Sequence, residues 1–189
     1  MTPQELHEIN HCINDIEYFI KKYFKVNNPF HGVSTITLTE KQKTILNRIH
    51  GKPCIIDAIP ERQIGASTVY VASVLWEALF HSNQTLAIVS QSRNGCKHVR
   101  EMIRTAYDRL PEFMKPTLTK NNVHLLEFDH DSRIVLYVAS ECMLRGMTIQ
   151  QVFFEDFEFY RKDVKRACYQ YCDIASAIHK NKYEQLVIV

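Results

Sequence analysis

The 189-residue sequence contains no run of 18 or more apolar residues, which excludes an apolar membrane-spanning helix. Its first residues, MTPQELHEIN, lack the basic-then-apolar order of a secretory signal. No internal repeat and no low-complexity tract is present, so neither a repeat array nor a biased tail explains the chain. Charge of one sign is also missing. Lys and Arg exceed Asp and Glu by only 23 − 21 = 2, a balance that argues against a dedicated nucleic-acid-coating protein and leaves room only for a local basic face. None of the six cysteines forms a CxxC pair, and Cys168 and Cys172, one helical turn apart, have no matching His or Cys pair at metal spacing. The cysteines lie in apolar segments and are expected to be reduced, buried thiols of an intracellular protein. The nine histidines are dispersed without motif spacing.

What remains is an ordinary globular composition, 46% hydrophobic and 23% charged, long enough for one domain with a sizeable core. Residues 3–26 read as one amphipathic helix or two, with Thr2 as cap, Pro3 in the first turn, and Ile9, Ile13, Ile16, Phe19, Ile20 and Phe24 at helical spacing. Asn27, Asn28, Pro29 and Gly32 break the pattern. Thr39 caps a short helix through Gln42, Ile45, Leu46 and Ile49. From there the period changes. Short apolar runs at 54–59, 85–89 and 152–154 read as buried strands, separated by helices at about 65–81 and 94–110. This order predicts a mainly parallel sheet with helices on both faces. Residues 123–128 and 133–139 carry hairpin chemistry in their Asp-His-Asp-Ser connection. A helix over 163–178 and a strand beginning near 186 complete the expectation.

Two stretches carry chemistry. The first is IPERQIGASTVYVASVLW (59–76), a glycine loop between a strand and a helix. Such a loop binds phosphate through backbone N–H groups and a helix N-terminus, with a lysine on the terminal phosphates and a hydroxyl on Mg²⁺. Gly65 can supply the tight backbone and Ser67 or Thr68 the hydroxyl, but the lysine position holds Ala66. On this stretch alone, a plain loop with Ser67 as helix cap is the favoured alternative. The second is VFFEDFEF (152–159), an apolar strand that delivers Glu155 and Asp156 at its end, where parallel sheets place Mg²⁺-dependent hydrolytic sites. A merely polar strand end is the equal alternative there. Trp76 and Phe80, at i and i+4, read as core rather than as a base-stacking platform.

With both stretches in order, the sequence resembles the N-terminal ATPase domain of the large terminase subunit of tailed bacteriophages. The resemblance runs through DIEYFIKKYFKV, LTEKQKTIL, ERQIGAST, TLAIVSQS, RLPEFMKP, NNVHLLEF, SRIVLYVAS, LRGMT and VFFEDFEFY. It implies a three-layer α/β P-loop NTPase (RecA/ASCE-like) with a mainly parallel central sheet. Residues 1–50 would form an N-terminal helical segment and 51–189 an incomplete ATPase-like core. It also implies that Gln42 contacts adenine, and that Arg62, Gln63, Gly65, Ala66, Ser67 and Thr68 line ATP. Arg62 would sense the γ-phosphate, Ser67 and Glu155 would hold Mg²⁺, and Glu155 and Asp156 would serve hydrolysis together with Arg62. Arg145 and Gly146 match a family motif without an assigned role. Implied partners are a portal, a small terminase or another motor subunit, with double-stranded DNA, and the implied setting is the bacterial host cytoplasm.

The departures concern the chemistry. The family keeps a lysine directly after the loop glycine or at the start of its KARQ form, and those positions here are Ala66 and Pro60. The acidic pair is Glu155-Asp156 where the family has Asp-Glu. These changes predict weak or absent ATP hydrolysis, since electrostatic stabilisation of the phosphoryl group dominates this catalysis. The family's coupling motif and nuclease domain are not in this sequence. Two functions follow: an impaired ATPase domain, or a terminase-derived pseudo-ATPase that binds a motor component. A fragment of a superfamily-2 helicase shares the glutamine, loop and acidic strand, and is disfavoured by RQxGxST and LPEFMKP.

Overall fold

The computed structural model describes residues 1–28, 32–50, 52, 54–56, 64–178 and 187–188, with side chains described up to residue 173. The N-terminal segment is two helices, α1 (Pro3–Asn14) and α2 (Ile16–Lys22), not one. Thr2 and Glu5 form a capping box on α1. Asp15 leaves the helical region and accepts from the Tyr18 N–H at 2.9 Å, which ends α1 and starts α2. Glu8 ties the pair together. One of its carboxylate oxygens accepts from Tyr18 Oη, Lys22 Nζ and Tyr23 Oη at 2.7, 2.7 and 2.8 Å.

Where the sequence reads as a break, the chain forms a small antiparallel ribbon, β1 (Lys25–Asn28) with β2 (Gly32–Thr35). A second capping box, Thr39 with Gln42, opens α3 (Glu40–Ile49). The remaining elements are β3 (Cys54–Ile56), α4 (Ala66–Phe80), β4 (Thr85–Ser90), α5 (Arg93–Asp108), β5 (Leu118–Asn121), β6 (Leu125–Phe128), β7 (Arg133–Val138), β8 (Gln151–Phe154), α6 (Lys162–Ile178) and β9 (Val187–Ile188).

Seven strands make one mixed sheet in the order β5-β6-β7-β4-β8-β3-β9. The run β7-β4-β8-β3-β9 is parallel throughout, whereas β5 and β6 join antiparallel at the edge. The sheet is therefore mainly parallel, as expected, and the hairpin of β6 and β7 is where its turn chemistry put it. Strand alternation divides the core in two. Ile55, Leu86, Ile88, Leu136 and Phe153 face a cluster built with α1 to α5, and Cys54, Ile56, Ala87, Val89, Val152 and Phe154 face one built with α6. Helices thus lie on both faces, with α1 to α3 sharing the core of α4.

Helix α4 is apolar nearly all round, with ten buried residues, because it is sandwiched between the sheet and the outer helices α2 and α3. Tyr70 stacks on Phe153 with ring centroids 3.6 Å apart. Trp76 is core, as expected, and its indole N–H donates to the Cys12 carbonyl at 2.8 Å. Phe80 packs edge-on against Phe19.

The expectation of six reduced thiols is corrected at one pair. Cys54 and Cys172 face each other across the β3–α6 contact with Cα atoms 5.7 Å apart and are joined as a disulfide. Cys12, Cys96 and Cys168 are buried thiols, and Cys142 is an exposed one. No helix among the described residues is long and apolar enough to cross a membrane.

Candidate functional site

The loop glycine comes first. Gly65 adopts φ 77°, ψ 29°, a left-handed conformation that turns the chain directly into α4. Among the described residues it is also tightly enclosed: a Cβ added there would lie 2.5 Å from Gln42 Nε2. Gln42 reaches this place because the capping box fixes its backbone. Its Oε1 accepts from the Thr39 N–H at 3.0 Å, and its Nε2 donates to the Ile64 carbonyl at 3.0 Å. Gln42, Ile64, Gly65 and the start of α4 are therefore one unit. The carboxamide nitrogen is engaged with the loop backbone, and its oxygen with the cap of α3.

Among the described residues no side chain caps the N-terminus of α4, and its first turn holds no acidic residue. The N–H groups of Thr68 and Val69 fold back to the Gly65 carbonyl at 3.1 and 3.3 Å, while those of Ala66 and Ser67 have no partner among the described residues. This is the positive end of a 15-residue helix. Ser67 is thus not the helix cap that the bland alternative requires.

The Ser67 hydroxyl instead lies near Glu155, which follows β8, and lowers its pKa. The sheet accounts for this meeting: β8 lies directly beside β3, the strand that leads into the loop, so both strand ends converge on the start of α4. Glu155 is buried at 7% exposure and held on three sides. Its N–H donates to the Val89 carbonyl at 2.8 Å, and the hydroxyls of Ser67 and Ser90 lie near its carboxyl group. Burial pushes the Glu155 pKa up, and the neighbouring Asp156 adds to the rise. The two serine hydroxyls and the His98 charge oppose it.

Asp156 differs in every respect. It is exposed and left-handed, at φ 52° and ψ 39°, as the chain turns away from the sheet. Adjacent in sequence, the two acids occupy different environments. Next to them, Tyr160 Oη donates to the Val89 carbonyl at 2.8 Å and holds the same corner.

Three framing residues were not read from the sequence. Ser90 ends β4 and is buried at 1% exposure against Glu155. Gly95, in the first turn of α5, leaves room for it, because a Cβ there would overlap the Ser90 hydroxyl and come within 3.1 Å of the Ser90 Cβ. His98, one turn further on, brings its charge near Glu155. The position of Ser90 at a parallel strand end was the available signal.

Of the residues named from the sequence, Gln42, Gly65, Ala66, Ser67, Thr68, Glu155 and Asp156 are described, and Gln42 with Gly65 and Ser67 with Glu155 meet. Arg62, Gln63 and Pro60 lie outside the described residues. One hydroxyl and one carboxylate beside a helix N-terminus are donors that could hold a hard divalent cation keeping most of its shell as water. Among the described residues no cluster of three or more His, Cys, Asp or Glu side chains is gathered for a metal.

No family model matches the chain. In fold it is similar to the crystal structure of the HK97 bacteriophage large terminase, with a TM-score of 0.60 over 94% of this chain and 16% identity. The fold is terminase-like. The match spans 37% of the length of that large terminase, so the terminase-like region is a little over a third of such a protein. At this identity the likeness shows the backbone arrangement alone.

Proposed function

We propose that this chain is a terminase-large-subunit-like ATPase domain that binds magnesium nucleotide at the start of α4 and hydrolyses it weakly. The observation that carries this reading is the proximity of Ser67 to Glu155 at a helix N-terminus that no side chain among the described residues caps. Ser67 and Glu155 would hold Mg²⁺, and the Ala66 and Ser67 N–H groups would face the phosphates. The metal would neutralise charge on the transferring phosphoryl group. Asp156, exposed beside Glu155, is the group available to orient a water. Gln42 would have to exchange one of its hydrogen bonds to read adenine. Partners on this reading are a portal, a small terminase or another motor subunit, with double-stranded DNA as the packaged polymer.

Weak turnover follows from the residue after Gly65. Ala66 supplies no cation, and a charge-assisted hydrogen bond to phosphate is worth about 1.5–3 kcal/mol. Ala66→Lys should therefore raise nucleotide affinity or turnover by about 10- to 100-fold. Phosphate release from Mg-ATP by wild type, Ala66→Lys and Ser67→Ala tests the reading. A gain with lysine and a loss with alanine supports it. Identical rates in all three proteins would contradict it.

A second reading, a pseudo-ATPase that acts by binding a protein, is favoured by the burial of Glu155. Its raised pKa disfavours the carboxylate form that a metal needs. On that reading Ala66→Lys leaves partner binding unchanged.

A further inference from the structure

Away from the loop, helix α6 and the turn at 141–147 enclose a cleft of about 600 Å³, within the usual size of ligand-binding clefts. Two faces of α6 explain its position. Val164, Cys168 and Cys172, at i, i+4 and i+8, are buried against the sheet. Asp163, Arg166, Ala167, Gln170 and Tyr171, at i, i+3, i+4, i+7 and i+8, line the cleft. The opposite wall is the LRGMT turn that the site does not use. Gly146 takes φ 75° there, a left-handed turn that glycine adopts readily.

The lining combines a soft apolar floor with unequal charge. Met143, Met147 and Tyr171 are partly buried against the α6 core. Tyr137 Oη donates to Met147 Sδ at 2.9 Å, and the Ser140 N–H to Met143 Sδ at 3.2 Å, so both thioethers are tethered. The acids at the rim are already served by Arg161, which lies 2.9 Å from Asp163 and 3.9 Å from Glu141. Arg145 and Arg166 are exposed, and their guanidinium groups have neither an ion-pair nor a hydrogen-bond partner among the described residues. Two guanidiniums unpaired among the described residues thus flank a floor of methionine and tyrosine.

We infer that this cleft docks a segment of a partner protein in which an apolar side chain is flanked by carboxylates. Methionine side chains accept varied apolar shapes. Guanidinium forks pair bidentately with carboxylates and give the charge complementarity that selects an acidic segment. A duplex nucleic acid would use the arginines but would leave the apolar floor unmatched.

The test is fluorescence anisotropy with a labelled eight-residue peptide of alternating glutamate and leucine, its lysine–leucine counterpart and a labelled 20-base-pair DNA duplex. Each is titrated with wild type, Arg145→Glu/Arg166→Glu and Met143→Lys, after melting curves confirm that the variants fold. The acidic peptide should bind wild type, weaken at least 10-fold in the charge-reversed protein and in Met143→Lys, and outcompete the basic peptide. No saturable binding of the acidic peptide would overturn the proposal, as would equal affinity in the charge-reversed protein. Loss of duplex binding alone in that variant would reassign the cleft to nucleic acid.

Discussion

Gly65→Ala perturbs the loop at the point where its geometry is best defined. At φ 77° and ψ 29°, a residue with a Cβ suffers about 1–2 kcal/mol of left-handed strain. A stiffer unfolded chain offsets about 0.4–1 kcal/mol of that. Displacing the Gln42 carboxamide adds to this. The new Cβ would lie 2.5 Å from Gln42 Nε2, so the carboxamide must leave. Its two 3.0 Å hydrogen bonds, to the Ile64 carbonyl and from the Thr39 N–H, go with it, at about 0.5–1.5 kcal/mol each. The net loss is about 2–3 kcal/mol, or a fall of about 4–12 °C in Tm for a chain of this size. Removing the obstacle first should change the answer. In a Gln42→Ala background, Gly65→Ala should cost about 1 kcal/mol or less, a coupling of about 1–2 kcal/mol. Urea unfolding of the four proteins, followed by far-ultraviolet circular dichroism, measures the cycle. Effects that add to within about 0.3 kcal/mol, or a neutral Gly65→Ala, would refute the enclosed loop.

Three further outcomes follow from the same structure. Glu155 has a pKa raised by burial, so its contribution to stability is full at low pH and is lost as pH rises through the folded-state value. Glu155→Gln should therefore raise Tm at pH 7.5 relative to wild type, with the advantage vanishing near pH 4. Glu8 behaves with the opposite sign. Hydrogen bonding to Lys22 foremost lowers its pKa to about 2, so its stabilisation is present above the usual carboxylate range and is lost as pH falls towards 2. Glu8→Gln should cost about 1 kcal/mol at neutral pH after allowance for solvent screening, and the gap to wild type should close on acid titration. With Cys54 and Cys172 joined, alkylation in denaturant without reductant should label four cysteines, rising to six after reduction. Six labels before reduction would remove the disulfide.

The parts of this fold legible in the sequence are those where one signal dominates. Continuous apolar runs marked β3, β4 and β8, because strands covered on both faces need no alternation. Apolar periodicity marked the helices, and Thr2 and Thr39 fixed two of their starts. The elements missed are short and polar. The ribbon Lys25–Asn28 with Gly32–Thr35 and the edge strand Leu118–Asn121 bury little, so their turn-forming residues outweigh any strand pattern. Asp15 was legible only as a polar interruption, although its side chain decides that two helices form.

The site was legible in its residue types and not in its wiring. Gly65, Ser67 and Glu155 follow from what phosphate and metal chemistry demand. That Gln42 is held by the loop it was expected to serve depends on side-chain geometry across 22 positions. Ser90 and Gly95 depend on the crossing of β4 and α5, and the Cys54–Cys172 pair spans 118 positions. None of these distances is coded by local pattern.

On the proposed function, the start of α4, with Ser67 and Glu155 beside it, is a magnesium-nucleotide site. Calorimetric titration with a non-hydrolysable ATP analogue, with and without Mg²⁺, tests it most directly on wild type and Ser67→Ala. Wild type should bind saturably and more tightly with Mg²⁺, and Ser67→Ala should lose that magnesium dependence. No heat of binding at millimolar analogue, or binding indifferent to both Mg²⁺ and Ser67, would contradict it.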